Sequence, residues 1–71
     1  MDYDYSKLRG KIVEVFGTCR EFTEAMSMGK TTMSAKLNNK TEWTQDEMIE
    51  AMDLLNIPHE DVVSYFFTHK V

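Results

Sequence analysis

The chain has 71 residues, enough for one compact domain and too few for two hydrophobic cores. Its 42% hydrophobic and 28% charged residues exclude compositional disorder, and its single cysteine, Cys19, excludes an internal disulfide. No apolar run approaches the roughly 20 residues of a membrane-spanning helix. We therefore expect one domain over residues 1–71, inside the cell, with no membrane partner.

Charge is divided unevenly along the chain. The net charge of −4 argues against a nucleic-acid partner, because lysine and arginine are needed to neutralise phosphates. From residue 46 to 61, however, every fully charged side chain is acidic, and from 29 to 41 every one is a lysine. This division predicts one face suited to phosphates and another that repels them. The alternative is that both are ordinary solvated helix faces.

The first predicted helix begins at Tyr5 or Ser6 and ends at Phe16, because Gly17 favours a helix end. Its apolar residues recur at three- and four-residue spacing: Leu8, Ile12, Val15 and Phe16. The T-x-x-E pattern from Thr18 to Glu21 predicts a capping box that begins a second helix at Cys19. That helix should direct inward Phe22, Ala25 and Met26.

A third helix should follow a turn of three or four residues and end at Asn38, since the Asn38-Asn39 pair tolerates the left-handed conformation of a helix end. Helices two and three are too short to be stable alone, so we expect them to pack on each other. The apolar side chains predicted to meet between them are Phe22, Met26, Met28, Met33 and Leu37.

A second capping box, from Thr44 to Glu47, predicts a fourth helix, and the turn residues Asn56 and Pro58 predict its end. The inward stripe of this helix should comprise Met48, Ile49, Met52 and Leu55. A short fifth helix is predicted over about 58–65, and Trp43 should fill the gap between helices three and four. The only strand signal is a weak one in the final segment YFFTHKV. The predicted fold class is therefore all-α.

The predicted outer side of helix three carries short or flexible groups and lacks glutamate: Lys30, Thr31, Ser34 and Ala35. Such side chains can approach base edges in a major groove without steric bulk. The first turn of this helix also offers free backbone N–H groups and the hydroxyls of Thr31 and Thr32, which could hold a phosphate.

The stretch FTEAMSMGKTTMSAKLNN resembles the helix-turn-helix of the lambda repressor and Cro superfamily, often called XRE-like, and residues 6–65 resemble a short phage-encoded group within it. The resemblance implies a compact five-helix lambda-repressor-like DNA-binding domain, with its helix-turn-helix at about 19–38. It also implies base reading by Cys19, Arg20, Lys30, Thr31, Ser34 and Ala35. The predicted phosphate contacts are Thr32, Lys36, Asn38, Asn39 and Lys40.

Four positions depart from the pattern of that family: Cys19, Thr23, Ser27 and Lys36. Thr23 stands where the family prefers alanine, and Lys36 replaces a common apolar residue, with Leu37 taking up the packing. Cys19 stands where the family usually has glutamine, and a thiol cannot make the bidentate adenine contact of glutamine. Ser27 stands where the family prefers glycine, so we expect a left-handed serine in the turn at a cost on the order of 1 kcal/mol.

The C-terminal segment 65–71 is more apolar than a chain end requires. Its apolar side chains predict the two-fold contact of a homodimer: Tyr65, Phe66, Phe67 and Val71. The alternative is that Phe66 and Phe67 fold back onto the first helix and complete the core of a monomer.

Two functional hypotheses follow. The first is a Cro-like phage or prophage regulator, a repressor that binds double-stranded operator DNA as a homodimer in the bacterial cytoplasm. The second is a protein-interaction module on a helix-turn-helix scaffold that inhibits another regulator, which the negative net charge and Cys19 favour. The sequence lacks catalytic motifs and histidines at metal-ligand spacing, so neither hypothesis includes an enzyme, a cofactor, a metal or a small-molecule ligand.

Overall fold

Five α-helices follow one another in the computed structural model, which describes residues 2–71. The helices are α1 (Ser6–Phe16), α2 (Cys19–Ala25), α3 (Lys30–Leu37), α4 (Gln45–Leu54) and α5 (Val62–Phe66), the last preceded by a 3₁₀ turn at His59–Asp61. Within the described residues the only β-type pairing is one isolated bridge. The all-α, five-helix prediction is confirmed. No helix in this part of the chain has the length and apolarity needed to cross a membrane.

Residues with positive φ follow four of the helices. Gly17 (φ 84°) ends α1, and its N–H donates to the carbonyl of Val13. Ser27 (φ 55°) lies in the turn between α2 and α3, as predicted. Asn39 (φ 63°) and Asn56 (φ 57°) follow α3 and α4, because asparagine tolerates the left-handed region better than most side chains.

Both predicted threonine caps are present. At α4 the box is complete: the Glu47 N–H donates to Thr44 Oγ1 at 3.1 Å, and the Thr44 N–H donates to Glu47 Oε1 at 2.9 Å. At α2 only half of the predicted box is formed: the Thr18 hydroxyl oxygen accepts from the Glu21 N–H at 3.2 Å, but the Glu21 side chain does not bond back to the Thr18 N–H. These caps satisfy backbone donors that the first turn of a helix leaves unpaired, and so they fix where each helix begins.

The core contains four of the five apolar residues predicted between α2 and α3, while Met28 packs against it half-buried. Two predicted core positions are wrong. Ala25 is exposed, and the buried polar residue of α2 is Thr23, whose hydroxyl donates to the Cys19 carbonyl at 2.7 Å. Ile49 is 45% exposed, because the buried stripe of α4 runs through Ala51, Met52 and Leu55, about 100° around the helix from it.

α5 closes the core against α1 and α4. Phe66 is only 2% exposed, and its ring lies edge-on to that of Trp43 with centroids 5.2 Å apart. The prediction that Phe66 lies in a dimer interface is therefore wrong, and the alternative, that it completes the monomer core, fits the structure. Half-buried Tyr65 packs against the core and beneath the Lys7 ammonium, whereas Phe67 and Val71 are exposed.

The two ends of the described chain lie side by side. Tyr3 and His69 form the isolated antiparallel bridge, with their rings stacked at 5.2 Å. The Asp4 N–H donates to the Thr68 carbonyl at 2.6 Å, and the Lys70 N–H donates to the Asp2 carbonyl at 3.2 Å. This pairing accounts for the weak strand signal of the final segment, which has too few partners to form a sheet.

Replacing Gly10 with alanine should stabilise the protein by about 0.5–1 kcal/mol, because glycine costs that much in a helix interior. Gly10 lies in the middle of α1, and a methyl group added there would meet nothing within 4 Å. Urea denaturation of the wild type and Gly10→Ala would measure the gain. A loss of stability would show that the backbone of α1 requires glycine at this position.

Candidate functional site

The outer side of α3 brings together several residues predicted to contact DNA. A shallow depression of about 460 Å³ is lined by Lys30, Thr31, Ser34, Ala35 and Lys40. All of them are exposed except half-buried Ala35, and Thr32 is exposed nearby in the first turn. The helical spacing used in the sequence analysis therefore located this face correctly.

A second groove, of about 600 Å³, lies beside α2 and α3 and includes Cys19 and Arg20. Both residues are exposed, and the Arg20 guanidinium lies 3.7 Å from the Glu24 carboxylate. Sequence analysis missed Arg9, which also lines this groove. Its Nη2 donates to the Leu37 carbonyl at 3.3 Å and to Asn38 Oδ1 at 3.2 Å. Arg9 lies outside the helix-turn-helix segment, so no local pattern connects it to α3.

Lys36 was predicted to contact phosphate, and the structure contradicts this. The residue is 6% exposed, and its Nζ donates to the Glu42 carbonyl at 2.9 Å. The same ammonium lies 2.8 Å from Glu47 Oε1. Lys36 therefore connects α3 to the loop before α4 and to the cap of α4, and its charge is not presented to solvent.

Asn39 is also occupied within the protein. Its Oδ1 accepts from the Tyr3 N–H at 2.8 Å, and its Nδ2 donates to the Tyr3 carbonyl at 2.9 Å. Both polar groups of the amide are used to hold the N-terminal segment, so the predicted phosphate contact by this side chain is wrong. Asn38 is exposed, and its Nδ2 donates to Ser34 Oγ at 3.2 Å.

A cleft of about 440 Å³ opens on another part of the surface, and we call it the aromatic cleft. Its lining residues come from both chain ends, from the loop after α3 and from α4: Tyr3, Tyr5, Asn39, Lys40, Thr41, Glu42, Trp43, Met48, Phe66 and Phe67. Half of these are aromatic. Sequence analysis missed the cleft, because its lining residues are up to 64 positions apart in the chain and share no motif.

The aromatic rings of the cleft pack against one another at angles. Phe67 lies edge-on to Tyr3 with centroids 5.9 Å apart, and Tyr3 lies at 40° to Tyr5 at 6.3 Å. Phe67 is 39% exposed, although it is one of the largest apolar side chains. A rigid aromatic surface that is partly open to solvent is typical of protein-binding sites.

Trp43 leaves a polar group without a partner in this region. Its side chain is almost fully buried, and its Nε1 has no hydrogen-bond partner among the described residues. A buried donor without an acceptor is rare in folded proteins, because it loses its bond to water on folding. Trp43 is also one of the residues that line the aromatic cleft.

Two opposite charges lie at the cleft: Glu42 and Lys40. Burial raises the pKa of Tyr5, and the neighbouring Tyr3 hydroxyl and Glu42 carboxylate raise it further. Within residues 2–71 no cluster of three or more histidine, cysteine or acidic side chains could hold a metal ion.

The structure is similar to the solution structure of the modulator of repression (MOR) of the temperate bacteriophage TP901-1 from Lactococcus lactis. The TM-score is 0.84 and the sequence identity 45%, covering 100% of this chain and 96% of the other. No curated protein matches the sequence.

This similarity overturns the first functional hypothesis. The first hypothesis predicts a Cro-like repressor that reads operator DNA. The similar protein is instead a modulator of repression, and the similarity extends over nearly its full length. The similarity favours the second hypothesis, a protein that acts on another regulator. The similarity also supports an all-α protein of the phage regulatory type, as the sequence resemblance implies. It does not support membership of the Cro family.

The family described as "Protein of unknown function (DUF739)" matches residues 1–69, which is almost the whole chain. The chain belongs to this family.

Proposed function

We propose that this protein modulates a phage repressor by binding to it as a protein partner. The observation that carries the proposal is the 45% identity and full-length structural similarity to a modulator of repression. The proposal places the protein in the bacterial cytoplasm together with the repressor and includes no catalytic step or cofactor.

The charges around α3 support a protein partner over operator DNA. Lys36 is buried in an ion pair, so four exposed basic side chains remain near α3: Arg9, Arg20, Lys30 and Lys40. Proteins that bind DNA tightly commonly neutralise about 6–10 phosphates, and each contact needs an accessible cation or other donor. The net charge of −4 opposes DNA further and favours a basic protein surface.

We expect the purified protein to bind the repressor encoded in the same phage genome and to change the occupancy of that repressor on its operator. Calorimetry would measure the complex, and gel-shift titrations would measure operator binding with and without this protein. Alone, the protein should not shift the operator duplex at physiological salt, because it lacks enough exposed cations.

A scrambled duplex of equal length serves as the control for DNA binding. If this protein alone protected a defined operator sequence and left the repressor's affinity unchanged, the proposal would be wrong. A complex with the repressor that leaves operator occupancy unchanged would also contradict it.

A further inference from the structure

We infer that the aromatic cleft receives an arginine side chain from a partner protein. This inference rests on the proposed function in one respect only, the identity of the protein that carries the arginine. The site and the chemistry of its occupant follow from the residues that line the cleft.

The walls of the cleft suit a guanidinium group. Tyr3, Tyr5 and Phe67 contribute rings that meet at angles. Phe67 is 39% exposed and Tyr3 half-buried, so these two rings are open to a bound group, whereas Tyr5 is only 7% exposed. A planar, weakly hydrated guanidinium stacks on such faces better than an ammonium does. A volume of about 440 Å³ is also large enough for one long side chain with part of its backbone.

Glu42 is the acidic residue of the cleft lining. Because Glu42 and Tyr5 both line the cleft, a guanidinium bound there lies beside a residue that carries a carboxylate. Lys40 lines the same cleft with the opposite charge and should weaken binding of a cation. Substituting Glu42 and substituting Lys40 should therefore change the affinity for a cation in opposite directions. This contrast distinguishes a cationic occupant from an anionic or apolar one.

The arginine belongs to a peptide segment of the partner. Trp43 lines the cleft, but its Nε1 atom is closed to solvent, so an occupant meets the indole ring and not the N–H. A DNA-binding partner offers such segments, because its DNA-facing surface is rich in arginine and lysine.

Short capped peptides can test the cleft without the repressor. The probes are Ac-Ala-Xaa-Ala-NH₂ with arginine, lysine, glutamine, leucine or glutamate at the central position. Trp43 is the only tryptophan, so its indole N–H resonance reports on this site alone. We expect the arginine peptide to shift that resonance and to bind about two- to fivefold more tightly than the lysine or glutamine peptide.

Two pairs of variants test the role of charge. Glu42→Gln should lower the affinity for the arginine peptide about two- to fivefold, and Lys40→Ala should raise that affinity by a similar factor at low salt. Glu60→Gln and Lys30→Ala change the net charge by the same amounts but do not line the cleft, so they should leave binding unchanged.

The inference is overturned if the leucine or glutamate peptide binds best, if arginine and glutamine bind equally, or if no peptide moves the Trp43 resonance. These outcomes are independent of the repressor. A protein that binds the repressor but fails the peptide test would keep the proposed function and lose this inference. The reverse pattern would keep the arginine site and reject the repressor as partner.

Discussion

Phe66→Ala should lower the free energy of unfolding by about 3–5 kcal/mol, the usual cost of removing a buried phenylalanine ring. Phe66 is 2% exposed and packs edge-on against Trp43, so its loss leaves a cavity between α5 and the rest of the core. A domain of this length has a total stability of roughly 4–10 kcal/mol, so the variant should be largely unfolded on modest heating. Urea denaturation followed by Trp43 fluorescence would measure the change.

The control for this change is Val63→Ala, also in α5, where the side chain is 63% exposed. It should alter stability by less than about 0.5 kcal/mol. The loss in Phe66→Ala should not depend on protein concentration, because the ring packs within one chain. A variant that keeps the stability of its monomer but associates less would restore Phe66 to an interface between chains.

Lys36→Met should cost about 1–3 kcal/mol, although methionine fills most of the space of the lysine stem. The substitution leaves the Glu42 carbonyl without its donor and Glu47 without its cation. Glu47 is partly open to water and still bonds the Thr44 N–H, which keeps the cost below that of a fully buried broken pair. Thermal and chemical denaturation would measure it.

Lys30→Met is the matched control, since Lys30 lies in the same helix but is exposed. It should change stability by less than about 0.5 kcal/mol. Equal effects of the two substitutions would show that the Lys36 pair contributes nothing to folding.

The same ion pair predicts a dependence of stability on pH. Burial raises the pKa of Glu47, but the Lys36 ammonium and the Thr44 cap outweigh it, so the folded pKa lies below the usual value. A depressed folded pKa means that the contribution is complete above the unfolded value of about 4.3 and is lost as pH falls through the folded pKa. As the pH falls below about 4.3, the free energy of unfolding should therefore decrease less for Lys36→Met than for the wild type. An unchanged acid profile would contradict this assignment.

The helix boundaries could be predicted from sequence because their signals are local. Thr44 and Glu47 cap α4 by bonding each other three residues apart, and Gly17 ends α1 through its own backbone angle. The left-handed conformation of Ser27 was predicted from the family resemblance, because the family prefers glycine at that turn position. None of these assignments requires knowledge of what packs against the helix.

Burial was harder to predict, because it depends on partners far along the chain. The sequence predicts a solvent-facing Lys36, but its ammonium forms a buried ion pair with Glu47, 11 residues later. The sequence predicts an interface role for Phe66, but its ring packs against that of Trp43. Ile49 was assigned to the buried face of α4, but that face lies about one residue, or 100°, further around the helix, so Ile49 is exposed.

The partner class could not be read from the helix-turn-helix pattern, because that pattern specifies a scaffold and not what the scaffold binds. The outer side of α3 is exposed as predicted, and exposure alone is compatible with DNA, protein or solvent. The aromatic cleft needs residues 3, 42 and 67 to come together, which only the folded chain shows.

The antiparallel pairing of residues 2–4 with 68–70 limits how the protein can be tagged. Because Tyr3 and Phe67 both line the aromatic cleft, an affinity tag or fluorescent protein fused directly before residue 2 or after residue 71 would lie close to it. Moving a bulky fusion from one terminus to the other would therefore give no relief from steric interference. Interaction measurements call for tag-free material, or for a probe attached through the side chain of exposed Cys19.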